Sequence, residues 1–256
     1  MFSALTFNMQ NGQPWDEEDP GETDVNLEAT WEFLREQDAD VIFLQEVERR
    51  HEGGRQVEPP PHYAWLKERL SDYDSVFAYP HPNPDEIPFG LGLAIFSRTP
   101  LRAFRRVDLA PAELSFDFQG VTRKPSHRLL IGAETVIAEH AVTLFNTHLQ
   151  AYFMLAAASS DAHRGQRDRV EQVLRETSGP LLMGGDFNSA PGESLVAQFG
   201  DAGFSTCQNS EVTWRREPFV LDHLFHNPAF RSAGCRVIPT LASDHHAVRA
   251  DFEFVQ

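Results

Sequence analysis

The sequence is poor in cysteine, and it contains no long apolar run. Its two cysteines, Cys207 and Cys235, are too few and too far apart in the sequence for a disulfide framework or a zinc site, so we interpret them as structural thiols. No run approaches the roughly 20 apolar residues that span a bilayer, so we expect no membrane span. An alternating stretch from Phe2 to Phe7 leaves no room for a signal peptide. We therefore expect a cytoplasmic protein, unless a leader has been removed.

Positive charge is also scarce. The 22 lysines and arginines face 38 acidic residues, which gives a formal net charge of -16. A general nucleic-acid binder typically has an excess of basic residues. A polyanionic substrate would therefore have to bind at a local group of cations. The two local groups of cations are Arg123, Lys124 and Arg128, and Arg164, Arg167 and Arg169. Each group could flank a phosphate-rich ligand or form a solvated surface face.

The chain has no repeat of 20 to 50 residues and no low-complexity linker. Its 256 residues, 41% of them hydrophobic, are enough for one continuous core. We therefore predict a single domain over residues 1–256, and we expect a monomer.

Short apolar or alternating runs predict many strands. These runs are Ala4–Phe7, Val41–Leu44, Ser75–Tyr79, Leu91–Ser97, Leu129–Ile131, Val136–Ala138, Val142–Asn146, Leu181–Met183, His223–Phe225 and Val248–Phe254. Helical spacing is clear at Leu27, Trp31 and Leu34 and again from Val170 to Leu174. The alanine-rich stretch from Tyr152 to His163 indicates a helix that continues to Arg175. Many strands and few helices favour two packed sheets with helices on their outer faces.

Polar residues directly follow five of the predicted strands. They occur in Thr6-Phe7-Asn8, Phe43-Leu44-Gln45-Glu46, residues 145–149, residues 184–188 and Ser243-Asp244-His245. Residues that follow a strand are aimed at the end of the sheet, where loops commonly assemble a site on a rigid scaffold. Together these groups offer oxygen ligands for a hard cation and nitrogen groups for a phosphate.

Each of these signals is weak when it is taken alone. Asn8 could be a turn former, Glu46 a solvated charge and His148 a hydrogen-bonded structural residue. The run Gly-Gly-Asp-Phe-Asn-Ser at 184–189 is stronger, because paired glycines permit close backbone approach and positive φ, although a plain turn also explains it. Residues 243–246 could be a loop capped by its aspartate. The order and joint presence of the motifs favour a site.

In that order the motifs resemble those of the endonuclease/exonuclease/phosphatase superfamily, which has the deoxyribonuclease I-like fold, over nearly the whole chain. The matching motifs are Asn8, Gln45-Glu46, Asn-Thr-His-Leu at 146–149, Gly-Asp-x-Asn at 185–188, Leu221 to Phe225, Ser-Asp-His at 243–245 and, less sharply, Gly90 to Pro100. The resemblance implies an α/β (α+β) fold, a four-layer αββα sandwich with two packed, mostly antiparallel sheets and outer helices. It places the site at one end of the sandwich.

The resemblance also implies a metal centre. Glu46 would be a direct ligand of one Mg²⁺ or Mn²⁺, with Asn8 and Asp244 completing or supporting the ligand sphere. A carboxylate suits these cations, which usually keep several waters and bind through one or two protein carboxylates.

The catalytic residues that the resemblance implies are His148, Asp186, Asn188, Asp222 and His245. Asp186 would orient or deprotonate the attacking water, and Asn188 would contact a phosphate oxygen or fix that water. Asp222 would orient His245 on the phosphoryl group. His148 would donate to the scissile phosphate or protonate the leaving oxygen. The residues just after it, Tyr152 to Met154, could line an apolar wall for a leaving group or pack into the core.

These observations leave three hypotheses for the function. The first is a hydrolase of a phosphodiester or phosphomonoester that acts on a small or single-stranded substrate. The second is a DNA or RNA nuclease, and the third is a catalytically silent binding module. The filled catalytic positions speak against the third hypothesis, and the charge speaks against long duplex DNA as a substrate. Six acidic residues lie just beyond Asn8, namely Asp16, Glu17, Glu18, Asp19, Glu22 and Asp24.

Overall fold

A computed structural model describes most of the chain, as two large sheets with helices around them. The described residues are 1–20, 23–48, 56–87, 92–155 and 159–255. The strands are β1 (Phe2–Asn8), β2 (Val41–Gln45), β3 (Asp74–Ala78), β4 (Leu93–Ser97), β5 (Arg102–Leu109), β6 (Phe116–Phe118), β7 (Val121–Arg123), β8 (Arg128–Ile137), β9 (His140–His148), β10 (Leu181–Asp186), β11 (Ser205–Thr206), β12 (Asp222–His226), β13 (Phe230–Ile238) and β14 (Ala247–Phe254). The helices are α1 (Leu27–Gln37), α2 (Pro61–Arg69), α3 (Gly165–Glu176) and α4 (Leu195–Asp201).

Each large sheet has six strands and one parallel pair at its centre. The strand order is β13-β14-β1-β2-β4-β3 in the first sheet and β11-β12-β10-β9-β8-β5 in the second, while β6 and β7 form a separate hairpin. The parallel pairs are β1 with β2 and β9 with β10. The other described pairs are antiparallel, which confirms two mostly antiparallel sheets.

The central strands β1, β2 and β10 are buried on both faces because each sheet lies between two packed layers. In β2, Phe43 packs into the core between the sheets, whereas its neighbours Ile42 and Leu44 pack with Phe33 and Leu34 of α1. The second sheet packs its outer face against α3 and α4 in the same way. A strand with two buried faces loses the simple alternation of polar and apolar residues. The four-layer sandwich with outer helices is confirmed.

Side-chain caps mark where two of the helices begin. Asn26 accepts a hydrogen bond from the Ala29 N–H at 3.2 Å and caps α1. α2 starts at a proline and receives its cap from a distant residue, because the Glu48 carboxylate accepts the Tyr63 N–H at 2.9 Å. α2 and α4 were not predicted, since neither has a clear apolar stripe.

Several predicted boundaries are wrong. Two strands, β5 and β13, were not predicted, because they are outermost strands with largely exposed or half-buried residues and no apolar run. Two predicted runs, 129–131 and 136–138, fall mostly within the single strand β8. The long helix predicted from Tyr152 is also wrong, because residues 152–154 form a 3₁₀ turn and α3 begins only at Gly165.

Some sequence-based predictions fall partly outside the described residues. These are the start of the strand predicted at Leu91, the start of the motif at Gly90 and the middle of the alanine-rich stretch at 156–158. Across the described residues, no helix is long and apolar enough to cross a membrane. Cys207 and Cys235 are both free, and both pack against the core between the sheets.

Gly184 lets the two sheets approach closely beneath the strand ends. A Cβ placed on Gly184 would lie 2.4 Å from Phe43 Cδ2, and one on Gly185 would lie 2.6 Å from the Thr147 carbonyl oxygen. Neither glycine has a positive φ. The close approach that we predicted for this pair is therefore confirmed, and the positive φ that we predicted for it is wrong.

We expect Gly184→Ala to lower the free energy of unfolding by about 1–3 kcal/mol, because the added methyl group overpacks a buried ring. Urea unfolding followed by circular dichroism measures the change. Gly200→Ala is the matched control, since a Cβ there meets nothing within 4 Å and the residue lies in α4. The control should be neutral or slightly more stable. Equal stability of the two variants would contradict the close approach of the sheets.

Candidate functional site

The candidate site lies where the central strands of both sheets end. β1, β2, β9 and β10 end at this edge, while β12 and β14, which run antiparallel to their neighbours β10 and β1, begin there. All eight residues predicted as site residues come together at these ends: Asn8, Glu46, His148, Asp186, Asn188, Asp222, Asp244 and His245.

The two-residue period of a strand explains why these ends carry inward polar groups. Ala4 packs between the sheets, and Asn8 lies four residues later on the same face of β1. The same spacing separates Leu182 from Asp186 in β10. The site is therefore the polar end of the same layer that forms the core between the sheets.

Asn8 connects the two central carboxylates. Its Nδ2 donates to Asp186 Oδ2 at 2.9 Å and to Glu46 Oε1 at 3.2 Å. Its Oδ1 accepts the Gln10 N–H at 3.1 Å, and its carbonyl oxygen accepts the Ser243 hydroxyl at 2.7 Å. Asn8 is thus fixed on both sides and holds two acids together without adding charge.

Negative charge is concentrated around these acids. Burial raises the pKa of Glu46, and the nearby charge of Asp244 raises it further, while the hydrogen bond from Asn8 opposes both. Burial and the charge of Asp222 likewise raise the pKa of Asp186. A cation at this position would relieve the mutual repulsion of the carboxylates.

Asp222 fixes the orientation of His245. The imidazole Nδ1 lies 2.8 Å from Asp222 Oδ2, in a buried hydrogen bond. Burial alone would lower the pKa of His245, but Asp222, Asp186 and Asp244 together raise it to about 10. With Nδ1 occupied, Nε2 points towards the reacting end of the site, 3.8 Å from Asp186 Oδ2.

His148 approaches the same Asp186 carboxylate as His245 does, but its imidazole has a different charge. Its Nε2 lies 3.5 Å from Asp186 Oδ2, and its Nδ1 lies 3.4 Å from Arg128 Nη1. Burial, with the charges of Arg128 and His245, holds the pKa of His148 well below its usual range. A guanidinium can only donate, so Nδ1 of the neutral imidazole accepts and the proton is on Nε2.

Two site residues adopt left-handed backbone conformations. Glu46 has φ of 50° and Asn188 has φ of 47°. Asn188 is held there by its N–H, which donates to Asp186 Oδ1 at 3.0 Å, and by its Nδ2, which donates to the Leu149 carbonyl at 3.0 Å. Non-glycine residues in this region carry strain that the surrounding structure must support, and such strain clusters at functional sites.

Asp244 is held by residues that the sequence analysis did not identify. Its Oδ2 accepts the Arg216 Nε–H at 2.7 Å and the Trp214 Nε1–H at 3.4 Å. Its N–H donates to Gln10 Oε1 at 2.9 Å. Arg216 in turn lies over the ring of Trp15, with 5.2 Å between Cζ and the ring centroid.

A layer of buried amides supports the site from below. Gln45 Nε2 donates to Asn146 Oδ1 at 2.7 Å and to Thr6 Oγ1 at 3.1 Å, which links the two sheets. Asn146 Nδ2 donates to the carbonyls of Leu44 and Ala94 at 2.8 and 2.9 Å. The Gln and Asn of these motifs therefore align the strand ends that carry the acids.

The site opens into a cavity of about 590 Å³. Its lining includes polar groups at the strand ends, two arginines and several apolar side chains. The lining residues are Gln10, Asn11, Gln13, Glu46, Ile87, Phe116, Asp117, Phe118, Arg128, His148, Gln150, Ala151, Met154, Leu155, Asp186, Asn188, Trp214, Arg216, Asp244 and His245. The cavity is large enough for a phosphate together with an organic group.

The donor set fits a divalent cation. One ligand atom each from Asp186, Asp222 and His245 lie within 4.8 Å of one another. Asp222 Oδ1 is buried and accepts no hydrogen bond from the described residues. Glu46 and Asp244 add carboxylate oxygens at the same cavity. Carboxylate oxygens are the protein ligands that Mg²⁺ and Mn²⁺ prefer.

The three residues whose ligand atoms lie within 4.8 Å differ from the predicted ligand set of Asn8, Glu46 and Asp244. Within the group, Asp222 Oδ2 is already bonded to His245, whose raised pKa keeps the imidazole protonated and unsuited to bind metal. Glu46 has a side chain that is 20% exposed and faces the cavity, so it remains the better candidate ligand.

Part of the site could not be predicted, because its residues carry no local sequence signal. Arg128 belonged to a predicted basic group, but only this member of the group lines the cavity. In the other group, Arg167 is buried in an ion pair with Asp161 at 2.6 Å. Trp214 and Arg216 lie in a loop without a recognisable pattern, and only the fold brings them to Asp244.

The model of the "Endonuclease/Exonuclease/phosphatase family" matches residues 5–245 of the chain. Among curated protein sequences, none matches. Similar solved structures include an endonuclease/exonuclease/phosphatase from Beutenbergia cavernae, with 19% identity, TM-score 0.74 and coverage of 99% of this chain and 71% of that one. The human Nocturnin catalytic domain with bound sulfate has 18% identity, TM-score 0.67 and coverage of 99% and 93%.

A mannosyl-6-phosphatase from Bacteroides thetaiotaomicron is also similar, with 16% identity, TM-score 0.61 and coverage of 99% and 100%. At such low identity, the likeness of these three structures establishes the fold alone.

We expect Asn8→Asp to lower the free energy of unfolding by about 1–3 kcal/mol in EDTA, because it removes a shared donor and adds a charge beside two buried carboxylates. Denaturant unfolding at pH 8 measures the effect. The control is Asn26→Asp, the same change at the exposed N-cap of α1, where an aspartate caps equally well. If both variants are as stable as the parent protein, Asn8 does not hold the acids together.

Proposed function

The chain belongs to the endonuclease/exonuclease/phosphatase family, and on that basis we propose that it is a phosphoesterase dependent on Mg²⁺ or Mn²⁺. It would hydrolyse a phosphodiester or phosphomonoester by in-line attack of water. One observation carries the proposal: Asp186 Oδ2 lies 2.9 Å from Asn8 Nδ2, 3.5 Å from His148 Nε2 and 3.8 Å from His245 Nε2. A carboxylate between two oriented imidazoles, in a cavity, suits a water that attacks a phosphate.

Glu46 would hold the cation, with Asp244 beside it. When bound, the cation would offset negative charge on the phosphate in the transition state. Asn8 would act as a positioning residue, because its amide group donates to Glu46 and Asp186 and its oxygen is occupied by the Gln10 N–H. This refines our prediction that Asn8 completes or supports the metal site, in favour of support.

Asp186 would orient the attacking water and accept its proton, which its raised pKa favours. The Asn188 N–H fixes one oxygen of this carboxylate and leaves the other facing the imidazoles. His245, held through Nδ1 by Asp222, would donate from Nε2 to a nonbridging phosphate oxygen.

His148 would donate a hydrogen bond to the scissile phosphate. Its lowered pKa makes it neutral, which favours this role over protonation of the leaving oxygen, the other role that we considered. Arg128 supports the anion site. It is buried at the cavity wall, and it forms no salt bridge with any carboxylate in the described part of the chain. A guanidinium placed in this way matches the geometry of a phosphate.

The substrate we propose is small or single-stranded. Asp16 to Asp19 are exposed and lie shortly after Gln13, which lines the cavity. Duplex binders rely on many cations along the phosphate track, and the described cavity wall offers only Arg128 and Arg216. A nuclease that acts on long duplex DNA is therefore the less favoured candidate.

We expect the protein to hydrolyse bis(p-nitrophenyl) phosphate with Mn²⁺ and to lose this activity in EDTA. Glu46→Gln should reduce kcat/KM by about 100-fold or more and abolish the rise in melting temperature on Mn²⁺ titration, because the amide keeps the shape and loses the charge. Glu134→Gln, a solvent-exposed change on β8 away from the cavity, is the control. If hydrolysis and metal titration are unchanged in Glu46→Gln, Glu46 is not a ligand of the metal.

We also expect kcat/KM to be higher on small esters than on duplex oligonucleotide at every salt concentration. Neutralising the acidic loop with Asp16→Asn, Glu17→Gln, Glu18→Gln and Asp19→Asn should raise duplex cleavage on the order of tenfold, because repulsion of the polyanion falls. Hydrolysis of the small ester should stay the same in this variant. Faster cleavage of duplex DNA by the parent protein, with a steep loss as salt rises, would favour the nuclease instead.

A further inference from the structure

We propose that the cavity binds a planar aromatic group attached to the scissile phosphate. This group would lie on an apolar wall formed by Ile87, Phe116, Phe118, Met154 and Leu155, all of which line the cavity. The inference rests on the proposed function and specifies the class of its substrate. Of residues 152–154, Met154 lines the cavity, Tyr152 is buried in the small apolar cluster behind the wall, and Phe153 packs against Trp214 and Phe219.

Side-chain packing and hydrogen bonds hold the wall in place. In β6, residues two apart point to the same side of the strand, so Phe116 and Phe118 share one face. Both rings pack against a buried cluster of Ile87, Tyr152 and Leu155. The Tyr152 hydroxyl accepts the Ala112 N–H at 3.1 Å and ties this cluster to the segment that leads into β6.

Backbone contacts fix the wall beside the phosphate-binding groups. The Ile87 N–H donates to the Lys124 carbonyl at 3.0 Å, just after the β6–β7 hairpin. Four residues after Lys124, the chain reaches Arg128 of the proposed anion site. On the other side, the 3₁₀ turn that carries Met154 follows shortly after His148, the last residue of β9. A group esterified to the phosphate therefore has apolar surface within reach.

The chemistry of the wall favours a ring. Met154 is 62% exposed and lines the cavity, and a thioether makes favourable contacts with aromatic edges. Phe116 and Phe118 offer aromatic surface, and the ring of Trp214 lines the same cavity. The five wall residues carry no charge, so they would not hold a second phosphate. The fitting ligand is an aryl or arylmethyl ester with one phosphate.

Binding of inert phosphonates tests the inference without requiring turnover. Benzylphosphonate and methylphosphonate carry the same charged head group on a P–C bond, and they differ in the ring alone. With Mn²⁺ present, we expect isothermal titration calorimetry to show benzylphosphonate binding about tenfold more tightly, from burial of the ring. Equal affinities would overturn the inference. Hexylphosphonate that binds as tightly as benzylphosphonate would overturn the preference for a ring.

Variants locate the effect on the wall. Met154→Ala changes an exposed side chain, so it should fold normally and weaken benzylphosphonate binding several-fold while leaving methylphosphonate binding unchanged. Phe116→Ser should also weaken benzylphosphonate binding several-fold, and Phe116→Leu should keep part of the affinity for benzylphosphonate. Val121→Ala is the control, because Val121 lies on the same hairpin, is 49% exposed and does not line the cavity. Unchanged selectivity in Met154→Ala and Phe116→Ser would place the ring elsewhere and overturn the inference.

The two proposals fail in different ways. Metal-dependent hydrolysis without selectivity for the ring would overturn the aromatic inference and leave the proposed function in place. Selectivity for benzylphosphonate that depends on Met154, without hydrolysis of any ester, would overturn the proposed function and support the binding wall.

Discussion

The arrangement of the site depends on one constraint, the burial of several carboxylates at the end of the core between the sheets. Burial and mutual repulsion raise the pKa values of Glu46 and Asp186. Charges that are brought out of water must be compensated by partners nearby. Asn8 donates to Glu46 and Asp186, His245 donates to Asp222, and Arg216 donates to Asp244. Asn8 is fixed in turn by the Gln10 N–H, and Arg216 by the ring of Trp15. Much of the local structure can be understood as compensation for this concentrated charge.

The same constraint separates the cavity into two chemical regions. The acids, imidazoles and Arg128 lie at strand ends, where buried ladders and the layer of Gln45 and Asn146 hold them rigidly. Rigid placement keeps the orientation of donors fixed, and this is what electrostatic stabilisation of a transition state requires. The apolar wall comes from a hairpin and loops outside the sandwich. The residues proposed for hydrolysis would thus lie on the strand ends of the sandwich, and those that select the substrate on the hairpin and loops. Functional groups on loops that a rigid scaffold positions are common in proteins.

Much of the fold could be read from the sequence because buried strands carry strong apolar signals. β1, β2 and β10 are buried along their whole length, and each contained a predicted run. The edge strands β5 and β13 were missed because their exposed residues need no apolar pattern. α2 was missed because it has no clear apolar stripe and because its cap, Glu48, lies 15 residues before Tyr63, the residue whose N–H it accepts. A cap of this kind has no local signature.

The sequence by itself identified eight residues that the fold brings together, since each lies at a strand end or within three residues of one. The tertiary structure alone decided how they act on one another. The neutral state of His148 depends on its burial and on the charge of Arg128, and the fixed oxygen of Asn8 depends on the turn at Gln10. Arg216, Trp214 and the apolar wall reach the cavity from segments distant in sequence. Charge, burial and hydrogen bonding act through space over a few ångströms, whereas a sequence motif records only neighbours along the chain.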